Sequence, residues 1–149
     1  MEYRKANRND IERFVQNRIE FATSITSLND VSDFENSTRE YLESHIDKGD
    51  LVIFLALDNA NIISSCMACI YETAPLPSCL SGRTAEILNV YTQDKYRRNG
   101  HAKALLNLLI EEVKKRGVEK INLSYTQDGY SLYKQLGFVL SKHHMQIVF

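Results

Sequence analysis

Eight residues, Leu51–Asp58, read LVIFLALD, and they restrict the fold more than any other stretch. A strand with one wet face alternates apolar and polar residues. A run that is apolar almost throughout belongs to a strand covered on both faces. Asp58-Asn59-Ala60-Asn61 then supplies a turn, and NIISSCMACIYE (61–72) returns, so the two runs form an antiparallel hairpin. RTAEILNVYT (83–92) and KINLSY (120–125) read as further strands, and EYRKA (2–6) as a short first one. The segment TAPLPSCLSG holds both prolines and reads as a loop. FVLSKHHMQIVF (138–149) is expected to close the chain as one or two strands.

The covering layers are helical. Asn9 or Asp10 is expected to cap a helix running to about Ala22, with Ile11, Phe14, Val15, Arg18 and Ile19 at helical spacing. A second helix spans about Phe34 to Ile46 and stops at Gly49. The clearest helix follows Gly100: Ala102, Leu105, Leu106, Leu109, Ile110 and Val113 form one apolar stripe. Lys114, Lys115 and Arg116 suit the negative end of its dipole, and Gly117 suits the residue after it. DGYSLYKQLG is a short helix ended by Gly137. The order β-α-α-β-β-β-α-β-α-β(-β) describes an α+β domain around a mostly antiparallel sheet, one domain over residues 1–149.

Composition excludes several function classes. A formal net charge of −1 argues against a nucleic-acid binder, which is usually strongly basic. No apolar run approaches a membrane span, and the first ten residues, MEYRKANRND, lack the apolar core of a secretory signal. A cytoplasmic location is the expectation. Cys66 and Cys69 make a C-x-x-C, but residues three apart on a strand point to opposite faces, and no further ligands follow for zinc. All three cysteines, Cys66, Cys69 and Cys79, read as buried inert thiols. His143 and His144 are adjacent on an expected strand, so at most one faces a pocket, and a shared metal ion is not expected.

YRRNGHAKALL (96–106) carries the chemistry. The first turn of a helix leaves backbone N–H groups without partners and holds the positive end of the dipole, which suits an anion. Gly100 lets a phosphate approach the backbone with no Cβ between them, and Ala102 is small for the same reason. Arg97 and Arg98 add positive charge. By itself the stretch also fits a basic helix start in solvent. His101 could reach a phosphate or sit in water.

Arg97, Gly100 and Ala102 fill the three places of the pattern Q/R-x-x-G-x-G/A, and Tyr133-Lys134-Gln135-Leu136-Gly137-Phe138 fills Y-x-x-x-G-F downstream. Together with the element order, these residues resemble the GNAT superfamily of acetyl-CoA-dependent N-acetyltransferases. The resemblance implies a three-layer fold with helices on both sides of a twisted sheet. It implies acetyl-CoA as co-substrate, a primary amine of a small molecule or peptide as acceptor, and no metal. Val90, Tyr91 and Thr92 would pair with the pantetheine arm through their backbone, and a free N–H there would hold the thioester carbonyl. Arg97, Arg98, Asn99, Gly100, His101 and Ala102 would hold the pyrophosphate. Thr126 stands where the family often has Asn, with Gln127 next to it and Gly129 in the usual Ala place, so either Thr126 or Gln127 is a candidate pantetheine contact.

Tyr133 occupies the place of the general acid that serves the leaving thiolate. Glu86, an acid inside an apolar strand, resembles in its spacing the general base of the histone-acetyltransferase branch. Burial would raise its pKa toward neutrality. The opposing reading makes it a strand-edge residue in solvent or a partner for Arg83. With every cysteine outside the motif regions, direct attack in a ternary complex is expected rather than an acyl-enzyme. The other functional reading is a catalytically silent CoA-binding or regulatory module, which would have little use for both Glu86 and Tyr133. A nucleotide-binding loop is disfavoured, because G-x-x-x-x-G-K-[ST] is absent. The acceptor is expected beside Tyr71, the loop 72–83, the connection 23–33 between Phe21 and Phe34, and the last strands with His143 and His144, where the family's acceptor pocket often has a wall. The terminal MQIVF could pair with a second copy of the chain.

Overall fold

The burial of Leu51–Asp58 fixes the architecture. Its first seven side chains are all buried, and they divide by parity between two cores. Val52, Phe54 and Ala56 enter one cluster, and Leu51, Ile53, Leu55 and Leu57 enter the other. The computed structural model, which describes residues 1–141 and 144–149, thus has helices on both faces of one sheet. Its elements are β1 (Glu2–Lys5), α1 (Ile11–Ile25), α2 (Ser32–His45), β2 (Leu51–Asp58), β3 (Asn61–Glu72), β4 (Arg83–Thr92), α3 (His101–Lys115), β5 (Lys120–Leu123) and α4 (Tyr130–Gln135). The five strands lie in the order β1-β2-β3-β4-β5; all pairs are antiparallel except β4–β5, which is parallel. The expected α+β fold and element order therefore hold as far as α4.

α3 covers one face, burying Leu105, Leu106, Leu109 and Val113 against β2, β3 and β4. α1 and α2 cover the other through Ile11, Phe14, Val15 and Leu42. Fully burying a Leu, Val or Phe stabilises by about 1.5–3 kcal/mol, so these few residues supply much of the cohesion between layers. Cys66 packs in the α3-side core and Cys69 against the α1–α2 core, as their spacing requires. No helix among the described residues is long and apolar enough to cross a membrane.

Asp10 stands at the N-cap of α1, as expected, but makes no side-chain capping bond there; the capping box belongs to the preceding 3-10 turn, Arg8–Asp10, where the Asn7 side chain accepts from the Asn9 N–H and Asp10 accepts from the Asn7 N–H. One expectation fails. The strands expected over 138–149 are absent among the described residues: no ladder forms there, and Val139, Met145, Ile147, Val148 and Phe149 are exposed. His143 lies outside the described residues. An apolar run makes a strand only where another edge pairs with it, and β5 is only four residues long.

Asp10 is 1% exposed and accepts from Arg4 (2.7 and 2.9 Å), Arg13 (2.6 Å) and the Asn7 N–H (2.9 Å). The Arg4 hydrogen bonds, more than any other contact, hold its carboxyl below the usual carboxylate range. Asp10→Ala is expected to cost about 3 kcal/mol, the low end for breaking a buried pair because both arginines keep some solvent. A depressed pKa gives stability that is present above the ordinary carboxylate pKa and lost as pH falls through the lowered value. Native and variant melting temperatures should therefore differ most at neutral pH and converge in acid. Equal melting temperatures at pH 7 would contradict the assignment.

Candidate active site

The site begins where β4 leaves β5. The two pair only over Thr84–Ile87 and Lys120–Leu123. Beyond Ile87 the β3–β4 register shifts: Ser65 faces Tyr91 and Met67 faces Leu88, so Cys66 opposes both Asn89 and Val90. This bulge puts Asn89 at φ 54°, a left-handed conformation that Asn tolerates better than most residues. A buried polar cluster holds it: Asn89 Nδ2 donates to Ser65 Oγ (2.9 Å) and Asn17 Oδ1 (3.2 Å), and Ser65 Oγ donates to Asn17 Oδ1 (2.6 Å). A bulge bends its strand and raises the local twist, which accounts for the separation from β5.

Past the bulge, Tyr91 and Gln93 face β3: Ser64 Oγ donates to Tyr91 O (3.0 Å) and Gln93 N–H donates to Ile63 O (2.9 Å). By alternation, Val90 and Thr92 direct their backbone groups to the uncovered edge. Thr92 O accepts from Arg97 Nε (3.1 Å), which leaves the Val90 N–H and C=O and the Thr92 N–H available. Tyr91 belongs elsewhere: its backbone serves β3 and its hydroxyl donates to Glu20 Oε1 on α1 (3.0 Å). Of the three expected pantetheine residues, the geometry favours two.

That edge runs into the start of α3. Arg98 (φ 61°) and Gly100 (φ 81°) are both left-handed, and Ala104 N–H is the first to bond within the helix, to Gly100 O. The N–H groups of His101, Ala102 and Lys103 have no helical partner. A Cβ on Gly100 would meet no protein atom within 4 Å, so the space beside the turn is open. The cradle thus has the donors and the room that a pyrophosphate requires.

The side chains expected at the loop are placed as follows. The His101 ring is buried and bonded through Nδ1 to the Tyr3 hydroxyl (2.7 Å), so it sits neither in solvent nor on the cradle; His101 offers only its backbone. Arg97 is tied to Thr92 O and to Asp94 (3.1 Å), so its charge is already matched. Arg98 and Asn99 are exposed, and the Asn99 side chain donates to Tyr96 O (3.1 Å), closing the loop. Thr126 and Gln127 are exposed on the β5–α4 loop.

Glu86 and Tyr133 flank the β4–β5 junction on opposite faces. Ala85 and Ile87 point into the α3-side core, so Glu86 points toward α1 and α2. It is partly exposed, and no side chain among the described residues hydrogen-bonds to it; Arg83 pairs with Glu72 (3.3 Å) and Arg116 O (2.7 Å) instead. Burial pushes its carboxyl above the ordinary range, with the His144 charge acting the other way. Tyr133 lies on the α3 side, 9% exposed, edge-on to Phe138, and it lines a small cavity with Leu123, Asn122 and Tyr130. Its hydroxyl has no hydrogen-bond partner among the described residues, and burial pushes its pKa up to about 12. A Cβ on Gly129 would come within 2.7 Å of the Tyr133 ring, so Gly replaces the usual Ala here for a local steric reason.

Cys66 and Cys79 are buried as expected, whereas Cys69 is only partly buried. It is the cross-strand partner of Glu86 and lies beside the site rather than apart from it. Burial raises its pKa, so it is held as a thiol, a poor nucleophile. The Asn17–Ser65–Asn89 cluster was not foreseen either; the available signal was an Asn inside an otherwise apolar strand.

A model of the acetyltransferase (GNAT) family matches residues 20–138. No curated protein sequence matches significantly. Among solved structures, a predicted acetyltransferase with acetyl-CoA from Clostridium acetobutylicum is 27% identical, with a TM-score of 0.90 over 99% of this chain and 95% of that one. A GCN5-related N-acetyltransferase from Ralstonia eutropha JMP134 is 21% identical, with a TM-score of 0.86 over 99% and 97%. Glucosamine-6-phosphate N-acetyltransferase from Arabidopsis thaliana shares the fold at 22% identity and a TM-score of 0.75 over 99% and 97%.

Proposed function

The chain belongs to the GNAT acetyltransferase family and is an acyltransferase of that type, and from that premise we propose that it transfers acetyl from acetyl-CoA to a primary amine by direct attack in a ternary complex. One observation carries this reading: the uncovered edge of β4 at Val90 and Thr92 leads straight into the open amides at Gly100. An extended arm lying along the first would bring its diphosphate to the second. Acetyl-CoA, when bound, supplies the activated acyl group.

The chain's residues have the following roles. The Val90 and Thr92 backbone orients the arm as an added strand does, and the Val90 N–H is the donor nearest the bulge for the thioester oxygen. Gly100, His101, Ala102 and Lys103 hold the diphosphate through their N–H groups. Glu86, on the α1–α2 face, takes the proton from the acceptor ammonium. The freed amine forms the C–N bond as the C–S bond breaks. Tyr133, on the other face, donates a hydrogen bond to the departing sulfur. Because its phenol is a weaker acid than a thiol of pKa ~8.5, it stabilises the thiolate rather than fully protonating it, and the second N–H proton that the amine loses as the amide forms passes through water to the sulfur. Cys69, held as a thiol, supports direct transfer over an acyl-enzyme.

The test is to offer amines with acetyl-CoA, follow thiol release, and identify the acetylated amine by mass. Release of thiol with no amine acetylated across small amines, polyamines, amino acids and peptides would favour the silent-module reading. A second copy of the chain is the proposed partner for the tail, because Met145, Ile147, Val148 and Phe149 are exposed. A monomeric mass by light scattering would remove that partner.

A further inference from the structure

The apolar stripe of α1 contains one residue that does not belong to it. Arg18 follows Phe14 and Val15 by one turn, so it points inward with them and is partly buried. The chain has nine arginines. Seven of them, at 4, 8, 13, 39, 83, 97 and 116, pair with a carboxylate. Arg98 has no such partner and is exposed. Arg18 is the partly buried one without a carboxylate or hydrogen-bonded acceptor among the described residues. Its guanidinium lies 5.5 Å from the Phe34 ring centroid. One aromatic face does not replace the acceptors that a five-donor fork loses on leaving water.

Burial lowers the Arg18 pKa, and its ionisable neighbours are Cys69 and Tyr41. The Tyr41 hydroxyl donates to Cys69 Sγ (3.3 Å), and Cys69 is paired in register with Glu86. Cys69 therefore sits between a carboxylate and a guanidinium on the α1–α2 face. Nearby Asp50 bonds His45 Nδ1 through Oδ2 (2.9 Å), its Oδ1 has no partner among the described residues, and it makes no salt bridge with Arg18. A planar fork of this kind matches a carboxylate or phosphate in two-point geometry.

We propose that the acceptor is an amine that also carries an anionic group, carboxylate or phosphate, and that Arg18 binds that group while the amine reaches Glu86. The inference rests on Glu86 marking the acceptor side, as in the function proposed above. Binding then orders both ends of the acceptor: Glu86 repels its anion and draws its ammonium, and Arg18 does the reverse. The two charges select orientation as well as identity.

Two matched pairs test it: phenylalanine against phenethylamine, and O-phosphoethanolamine against ethanolamine, each with saturating acetyl-CoA. The expected result is a kcat/KM at least tenfold higher for the anionic member of one pair, and the preferred pair tells carboxylate from phosphate. Arg18→Gln should collapse that ratio toward one, chiefly by raising KM for the anionic member, and Arg18→Lys should restore part of it. A native ratio near one, a ratio that Arg18→Gln leaves intact, or no turnover with all four amines would overturn the inference. Stabilisation by acetyl-CoA separates the two levels. If it is absent, the acetyltransferase reading fails; if it is present and the ratio is near one, only the role of Arg18 fails.

Discussion

Tyr133→Phe should lower kcat about a hundredfold and leave acetyl-CoA affinity within about twofold. The size follows from removing one preorganised donor that acts where charge develops, for which losses of 10²–10³ are typical. The substitution isolates that donor. The ring stays packed against Phe138 and under Gly129, and no hydrogen bond to the rest of the chain is lost, because the hydroxyl makes none among the described residues. With its pKa pushed up to about 12, the phenol stays protonated throughout the working range, so the defect should not vary with pH between 6 and 9. Single-turnover thiol release measures it. An unchanged kcat would remove Tyr133 from the mechanism, and a matching loss of acetyl-CoA affinity would make its role structural.

Glu86→Gln should lower kcat/KM by about 10² near neutral pH, the low end for losing a general base. A carboxylate is a base only above its pKa. Burial has raised that value, so native activity should fall as pH drops through a point above the ordinary carboxylate range. The variant should lack this acidic limb. It should also recover as pH approaches the acceptor's own pKa, near ~10.4 for a simple alkylamine, where free amine forms unaided. Stability runs the opposite way. A raised carboxyl pKa means the folded chain binds the proton more tightly than the unfolded one, so ionised Glu86 destabilises the fold above that pKa. Glu86→Gln should therefore not lower the melting temperature at pH 7. Activity lost at every pH and not rescued in base would count against a simple base.

Legibility in the sequence followed the range of the forces. The strands 51–58, 61–72 and 83–92 agree with the ladder at both ends, because burial on both faces leaves an unbroken apolar record. The start of α3 was legible for a similar reason: a glycine required by positive φ and an amphipathic helix are local signals. What escaped depends on distant partners. His101 reads as a loop residue until Tyr3, 98 residues away, reaches it. The Arg97 charge reads as free until Asp94 folds back on it. Cys69 looks unrelated to Glu86 until the β3–β4 register sets them opposite each other. The tail shows the converse error: apolar content alone suggested strands at 138–149, although a strand needs a paired edge as well as a sequence.

Arg18 shows a further limit. Helical spacing put it in a stripe with Phe14 and Val15, yet periodicity registers position and not unmet need. Arg18 stands out only because the carboxylates lie beside other arginines in the folded chain.

The most direct test of the account is thermal unfolding with and without acetyl-CoA. A ligand at 100 times its Kd adds about 2.7 kcal/mol, which for a chain of this size is a rise of roughly 5–10 °C. That rise is expected of the native chain, and Gly100→Val, which strains a left-handed turn (φ 81°) beside the open amides, should abolish it. A melting temperature that does not move at saturating acetyl-CoA would contradict the account at its centre.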